Sequence, residues 1–134
     1  MTKANLLRVT PFLHVPDLAE ALDFFCRRLG FAVGFEGDGY AYIEREGAAF
    51  RLLQLPPPDC RDPGQTPMPD GFAYYIDVRD VDALVAELSP RLADLPPGRV
   101  HGPVDQPYGQ REFMVRGPDD GLIVFGQGLE SEPD

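Results

Sequence analysis

The segment His14–Leu22, HVPDLAEAL, returns in altered form as Asp77–Val85, DVRDVDALV, later in the chain. In both copies an apolar stretch runs into x-Val-x-Asp, and an amphipathic helical pattern follows. The second copy begins 63 positions after the first (14 to 77), close to half of the 134 residues. A repeat of this kind sets the architecture, because each copy is one supersecondary unit that cannot bury its apolar face alone. Each Asp is placed to cap a helix, its carboxylate accepting from the free amides of the first turn. Glu20 follows Asp17 by three residues, as in a capping box. Leu18, Leu22, Phe25 and Leu29 then fall on one helical face, and Gly30 can take the left-handed conformation that ends the helix. Val81, Leu84, Val85 and Leu88 form the matching stripe, and Pro90 is expected to stop or kink the second helix.

Strand patterns surround both helices. Residues 9–15 precede the first, and 31–36, 39–45 and 48–55 follow it. Residues 72–78 precede the second, and 99–101, 112–116 and 121–126 follow it. The order is β-α-β-β-β twice. The fold class expected is therefore α+β: one domain over 1–134, in which two such modules build a concave mixed sheet with helices outside. Module one covers about 5–56 and module two about 72–128. Between them, residues 56–71 carry six prolines and read as a linker loop. Glu130–Asp134 reads as a frayed tail, and Glu44-Arg45-Glu46 as a solvated hairpin tip turned by Gly47.

Strand periodicity assigns faces. Phe72, Tyr74, Ile76 and Val78 share one side and are expected to pack on the helix, whereas Ala73, Tyr75 and Asp77 face the concavity. Likewise Val9, Pro11, Leu13 and Val15 are expected in the core, with Thr10, Phe12 and His14 on the open side. Tyr40 and Tyr42 alternate with Ala41 and Ile43, and can either extend an aromatic wall or cover the sheet. Two modules side by side would curl into a cup, a natural binding cavity.

Charge and composition exclude several function classes. A net charge of -10 repels nucleic acid and anionic membrane surfaces and is compatible with a cationic or neutral small ligand. No apolar run approaches the roughly 20 residues that cross a bilayer, and no secretory leader is evident, so a soluble cytoplasmic protein is expected. The two cysteines, Cys26 and Cys60, form no CxxC pair, and Cys26 sits on the apolar helix face as a small hydrophobe.

The paired modules with x-Val-x-Asp at each helix start resemble the glyoxalase, bleomycin-resistance and extradiol-dioxygenase superfamily, also called vicinal oxygen chelate proteins. The stretch Gln106–Gly121, QPYGQREFMVRGPDDG, is similar to the Gln-Pro-Trp-Gly-Arg-Glu-Phe…Arg-Asp-Pro-x-Gly-Asn pattern of the bleomycin-resistance branch. Tyr108 replaces the aromatic of that pattern, Gln110 is inserted, and Gly117 stands where Asp is usual. The resemblance implies, for the superfamily's enzymes, a divalent metal held by His, Gln or Glu on the concave face, polarising a substrate oxygen. Carried onto this chain by counting from each helix-cap Asp and from the last turn, the ligand positions are Thr10, Ala73 and Val124, with Gln54 near the remaining one. Ala and Val have no donor atom and a neutral Thr hydroxyl is a poor ligand. No metal and no other cofactor is expected. The only histidines, His14 and His101, lie apart in the sequence pattern.

The side chains expected to meet a ligand are Phe12, His14, Phe50, Gln54, Tyr75, Asp77, Tyr108, Glu112, Met114 and Arg116. Rings supply stacking surface, and a few polar groups fix orientation. The resemblance implies a homodimer whose grooves, made by both subunits, hold an aromatic or cationic antibiotic such as a bleomycin and keep it from its target. Three alternatives stand beside this: a metal-dependent lyase, isomerase or dioxygenase with an atypical site, a binder of another compound, and a non-catalytic partner domain.

Overall fold

The computed structural model describes residues 3–63, 73–118 and 121–129. Module one comprises β1 (Phe12–Val15), α1 (Leu18–Leu22), β2 (Ala32–Gly37), β3 (Tyr40–Arg45) and β4 (Ala48–Gln54). Module two comprises β5 (Ala73–Asp77), α2 (Val81–Leu92), β6 (Val100–Asp105), β7 (Gln110–Arg116) and β8 (Leu122–Gly128). Each module folds into a four-stranded mixed sheet, in the orders β1-β4-β3-β2 and β5-β8-β7-β6. The first strand of each pairs in parallel with the last, which requires the crossover that the helix supplies.

Both helix starts follow from the repeated Asp. Asp17 Oδ1 accepts from the Glu20 amide at 3.1 Å, and Asp80 Oδ1 from the Ala83 amide at 3.0 Å. Each also receives a second cap from the far end of its own crossover. Gln54 Oε1 accepts from the Leu18 amide at 2.8 Å, and Gln127 Oε1 from the Val81 amide at 2.9 Å. The first helix continues as a π-helical stretch over Asp23–Arg28, and Gly30 ends it at φ +81°. Pro90 does not stop the second helix, which runs through it to Leu92. Proline removes one helical amide, but Leu88 and Leu92 on either side are both buried, and that packing outweighs the missing bond.

One apolar core serves both modules. Leu13, Phe25, Leu29, Ile43 and Leu52 from the first join Val81, Leu88, Phe113, Val115 and Ile123 from the second, all essentially inaccessible to water. Phe50 and Tyr74 cross the boundary with ring centroids 5.5 Å apart. Full burial of such side chains contributes about 1.5–3 kcal/mol each. Arginines fasten the same boundary at its rim. Arg28 meets Asp94 at 2.7 Å and donates to the Arg91 carbonyl, while Arg45 meets Glu87 at 2.6 Å and donates to the Leu29 carbonyl. Arg45 is thus an anchor rather than part of a solvated tip. Glu46 and Gly47 make the turn beside it, and the left-handed residue there is Glu46, at φ 54°.

Several boundaries move. The first strand begins at Phe12 rather than Val9, and Leu6, Leu7 and Val9 before it are 91%, 86% and 85% exposed. The sixth strand extends to Asp105, with a register break between His101 and Val104. Half of the proline-rich linker (64–71), Phe72, the tip of the last turn and the tail lie outside the described residues. Because Leu88 joins α2 to the shared core, Leu88→Ala should lower stability by about 2–5 kcal/mol, the usual range for emptying such a site. A urea melt checks this, and a loss below about 1 kcal/mol would show that the helix is not part of the core.

Candidate functional site

The sheet register fixes which side chains look away from the helices. In module one, Phe12 lies beside Arg51 and His14 beside Leu53, while Arg51 faces Tyr42 and Leu53 faces Tyr40 across β3. Phe35 pairs with Tyr42 after a bulge in β2. The outer face therefore gathers Phe12, Phe35, Tyr40, Tyr42 and Arg51 into an aromatic shelf. The Phe12 and Tyr40 centroids are 6.5 Å apart, and those of Phe35 and Tyr40 5.9 Å. The Arg51 guanidinium donates to the Tyr40 hydroxyl at 2.6 Å and stands 5.0 Å from the Tyr42 ring centre. Arg8 reaches the same shelf and donates to the Tyr42 hydroxyl, which in turn donates to Glu44.

In module two the equivalent face carries Tyr75 and Asp77 on β5, Leu122, Val124 and Gly126 on β8, and Gln110, Glu112, Met114 and Arg116 on β7. Its centre is the Glu112 carboxyl group, only 4% exposed. It accepts from the Tyr108 hydroxyl at 2.8 Å and from Gln106 Nε2 at 3.2 Å. Both donors are neutral, and among the described residues no cation pairs with it. The Gln-Pro-Tyr-Gly turn therefore acts as a clamp that folds two side chains back onto one buried acid. Tyr75 completes the face: its hydroxyl donates to Gln110 Oε1 at 2.9 Å and lies over Gly126, where any Cβ would overlap it. Burial of that hydroxyl and the neighbouring Glu112 carboxyl push the Tyr75 phenol up to about 12.

Two expected site residues are on the other side. Phe50 is 3% exposed and packs on Phe25 and Phe31 in the core, although its edge borders the cleft between the modules. Gln54 caps α1. Both belong to the helix-facing parity of β4, whose outward residues are Ala49, Arg51 and Leu53. Phe12, His14, Tyr75, Asp77, Glu112, Met114 and Arg116 lie on the outer faces, and Tyr108 reaches them from its turn. Sequence reasoning passed over Arg51, Arg8, Phe35, Gln106 and Gln110, and left Tyr40 and Tyr42 undecided. A cleft of about 800 Å³ runs between the modules, bordered by Tyr75, Asp77 and the Arg45–Phe50 segment.

The repeat also corrects the metal-position assignment. Phe12 pairs with Arg51 as Tyr75 pairs with Val124, so the counterpart of Val124 in module one is Arg51 and not Gln54. The four positions are then Thr10, Arg51, Ala73 and Val124. One permanent cation and two side chains without a donor do not fit a divalent ion. Nor do His, Cys, Asp and Glu cluster in threes anywhere among the described residues.

Against this geometry, the comparisons with known proteins agree. The family model of the Glyoxalase/Bleomycin resistance protein/Dioxygenase superfamily matches residues 6–125. A bleomycin resistance protein of Geobacillus stearothermophilus is 27% identical over 135 residues, covering 94% of this chain and all of that one. The bleomycin-binding protein of Streptomyces verticillus, solved with copper(II)-bleomycin, superposes with a TM-score of 0.69 at 23% identity, over 98% of this chain and 100% of that chain. An antibiotic-binding protein from a Streptomyces species superposes with a TM-score of 0.67 at 23% identity, over 94% and 99%.

The Tyr75 environment has a measurable signature. Of the five tyrosines, one should ionise near 12 in an ultraviolet pH titration, and Tyr75→Phe should remove that component. The raised phenol favours the folded state below the unfolded value of about 10, and that contribution is lost as pH climbs from there through about 12. A Tyr75→Phe protein that keeps the late component would place the shielded phenol elsewhere. With its two modules, its parallel crossovers and the match over residues 6–125, the chain belongs to the Glyoxalase/Bleomycin resistance protein/Dioxygenase superfamily.

Proposed function

We propose that this protein binds a small-molecule antibiotic without a metal cofactor and confers resistance by sequestration. The observation that carries the reading is the pair of outer sheet faces. One is an aromatic shelf and the other a buried acid clamped by Tyr108 and Gln106, and among the described residues neither gathers three chelating side chains. Flat rings stack on the first, and a cationic group can approach the second. The bleomycin-resistance and bleomycin-binding relatives support the same ligand class. No step makes or breaks a covalent bond. Holding the drug away from its target requires only affinity.

Both faces are open in the single chain, and enclosing a drug needs a second wall. Phe12 and Phe35 on the shelf are 53% and 59% exposed, and the apolar Leu6, Leu7 and Val9, which precede β1, also stand in solvent. Apolar surface of this extent marks an association site. A homodimer that sets a shelf of one subunit against an acid face of its partner would cover it and close two grooves. Among the described residues no helix is long and apolar enough to cross a membrane, which suits a cytoplasmic binder acting on drug that has entered the cell.

Isothermal titration with metal-free bleomycin tests the ligand. Saturable binding is expected, weakened about tenfold by Glu112→Gln, a loss of about 1.4 kcal/mol. Heats equal to dilution into buffer would reject bleomycin. Sedimentation equilibrium tests the assembly: a mass twice the 14.8 kDa chain is expected, and a monomer at micromolar concentration would contradict it.

A further inference from the structure

We infer that the module-one face recognises an anionic or strongly hydrogen-bond-accepting oxygen on a planar aromatic group, and that Arg51 is its receptor. The inference rests on the binding reading above and specifies which part of the ligand this face takes. Arg51 sits at the centre of the sheet on β4, half-buried, with Phe12 beside it on β1 and Tyr42 opposite on β3. Its hydrogen bond goes to the Tyr40 hydroxyl and its plane lies near the Tyr42 ring. Neither partner carries a charge. Arg28, Arg45 and Arg111, by contrast, each receive a carboxylate. In a chain of net charge -10, Arg51 thus presents a half-buried guanidinium whose partners are both neutral.

Geometry adds direction to the charge. The Tyr40 hydroxyl accepts from the guanidinium and the Tyr42 ring centre lies 5.0 Å from it, while the exposed rings of Phe12 and Phe35 stand 6.5 Å and 5.9 Å from the Tyr40 ring. A flat ring system lying on this shelf places an attached carboxylate, phenolate or quinone oxygen against the guanidinium fork, which suits such acceptors in a bidentate arrangement. Arg8 stands at the shelf's edge, but Glu44 lies 3.7 Å from it and offsets its charge. The acid of module two, Glu112, lies on a separate sheet, so the two modules carry opposite charges on separate faces.

Equilibrium dialysis with three probes of one shape tests this: 2-naphthoate, 2-naphthamide and 2-naphthylmethylammonium. The acid is expected to bind at least tenfold more tightly than the amide and the cation. Arg51→Met should abolish that preference, and Arg51→Lys should keep part of it. Far-ultraviolet circular dichroism confirms that each variant is folded, and the wild-type ranking stands alone if Arg51→Met is not. Equal affinities, tighter binding of the cation, no binding of the acid, or an acid preference that survives in Arg51→Met would each overturn the inference. Bleomycin titrated into the same preparation separates the two claims. If it binds while the acid shows no advantage, only the role of Arg51 falls. If the acid preference holds and bleomycin does not bind, that ligand falls and the shelf's chemistry stands.

Discussion

Parallel pairing of β1 with β4, and of β5 with β8, is the constraint on which the rest of the structure depends. It demands a crossover, which the helix provides, and it fixes which side chains share each face. Gln54 and Gln127 stand at the ends of those pairings and cap the helix that the same crossover contains. A one-residue slip in either pair would send Leu52 or Phe125 outward and leave a helix amide without its acceptor. The two modules then share one core, so neither sheet face that meets the helices is free to bind anything.

What remains for chemistry is the pair of outer faces, and they differ in character. Module one offers rings arranged around a guanidinium, and module two offers an acid held by a phenol and an amide. The difference has a simple origin in the repeat. Arg51 and Val124 occupy equivalent positions, as do His14 and Asp77, and Phe12 and Tyr75. One repeated layout thus carries two unlike surfaces. Where the resemblance would place chelators, this chain has a fixed positive charge at Arg51 and, at Ala73 and Val124, two apolar side chains.

The sequence made the architecture legible because its signals were local and doubled. Two capped helices, one left-handed helix end at Gly30 and a proline-rich break all lie within short windows, whereas Pro90 gave a stop signal that the packing of α2 overrides. Faces were legible only where apolar and polar residues alternate. In Leu13–Val15 and Tyr74–Asp77 they do, and Phe12, His14 and Tyr75 were placed on the correct side. In Ala48–Leu55 both parities are apolar except for Arg51 and Gln54, which fall on opposite faces, so Phe50 and Gln54 were misassigned. The bulge between Val33 and Phe35 hid Phe35 in the same way, by breaking the period of two. The Tyr108–Glu112 contact was out of reach because it depends on how the turn folds back, although both residues stood in the motif that drew attention.

A side-chain-resolved NMR titration of the protein with metal-free bleomycin tests the central claim most directly. The account predicts that the largest shifts fall on the outer faces, at Phe12, Tyr40, Tyr42, Arg51 and Tyr108, while Phe25, Phe50 and Gln54 stay still. Shifts centred on the helix-facing residues, with the outer faces silent, would contradict it.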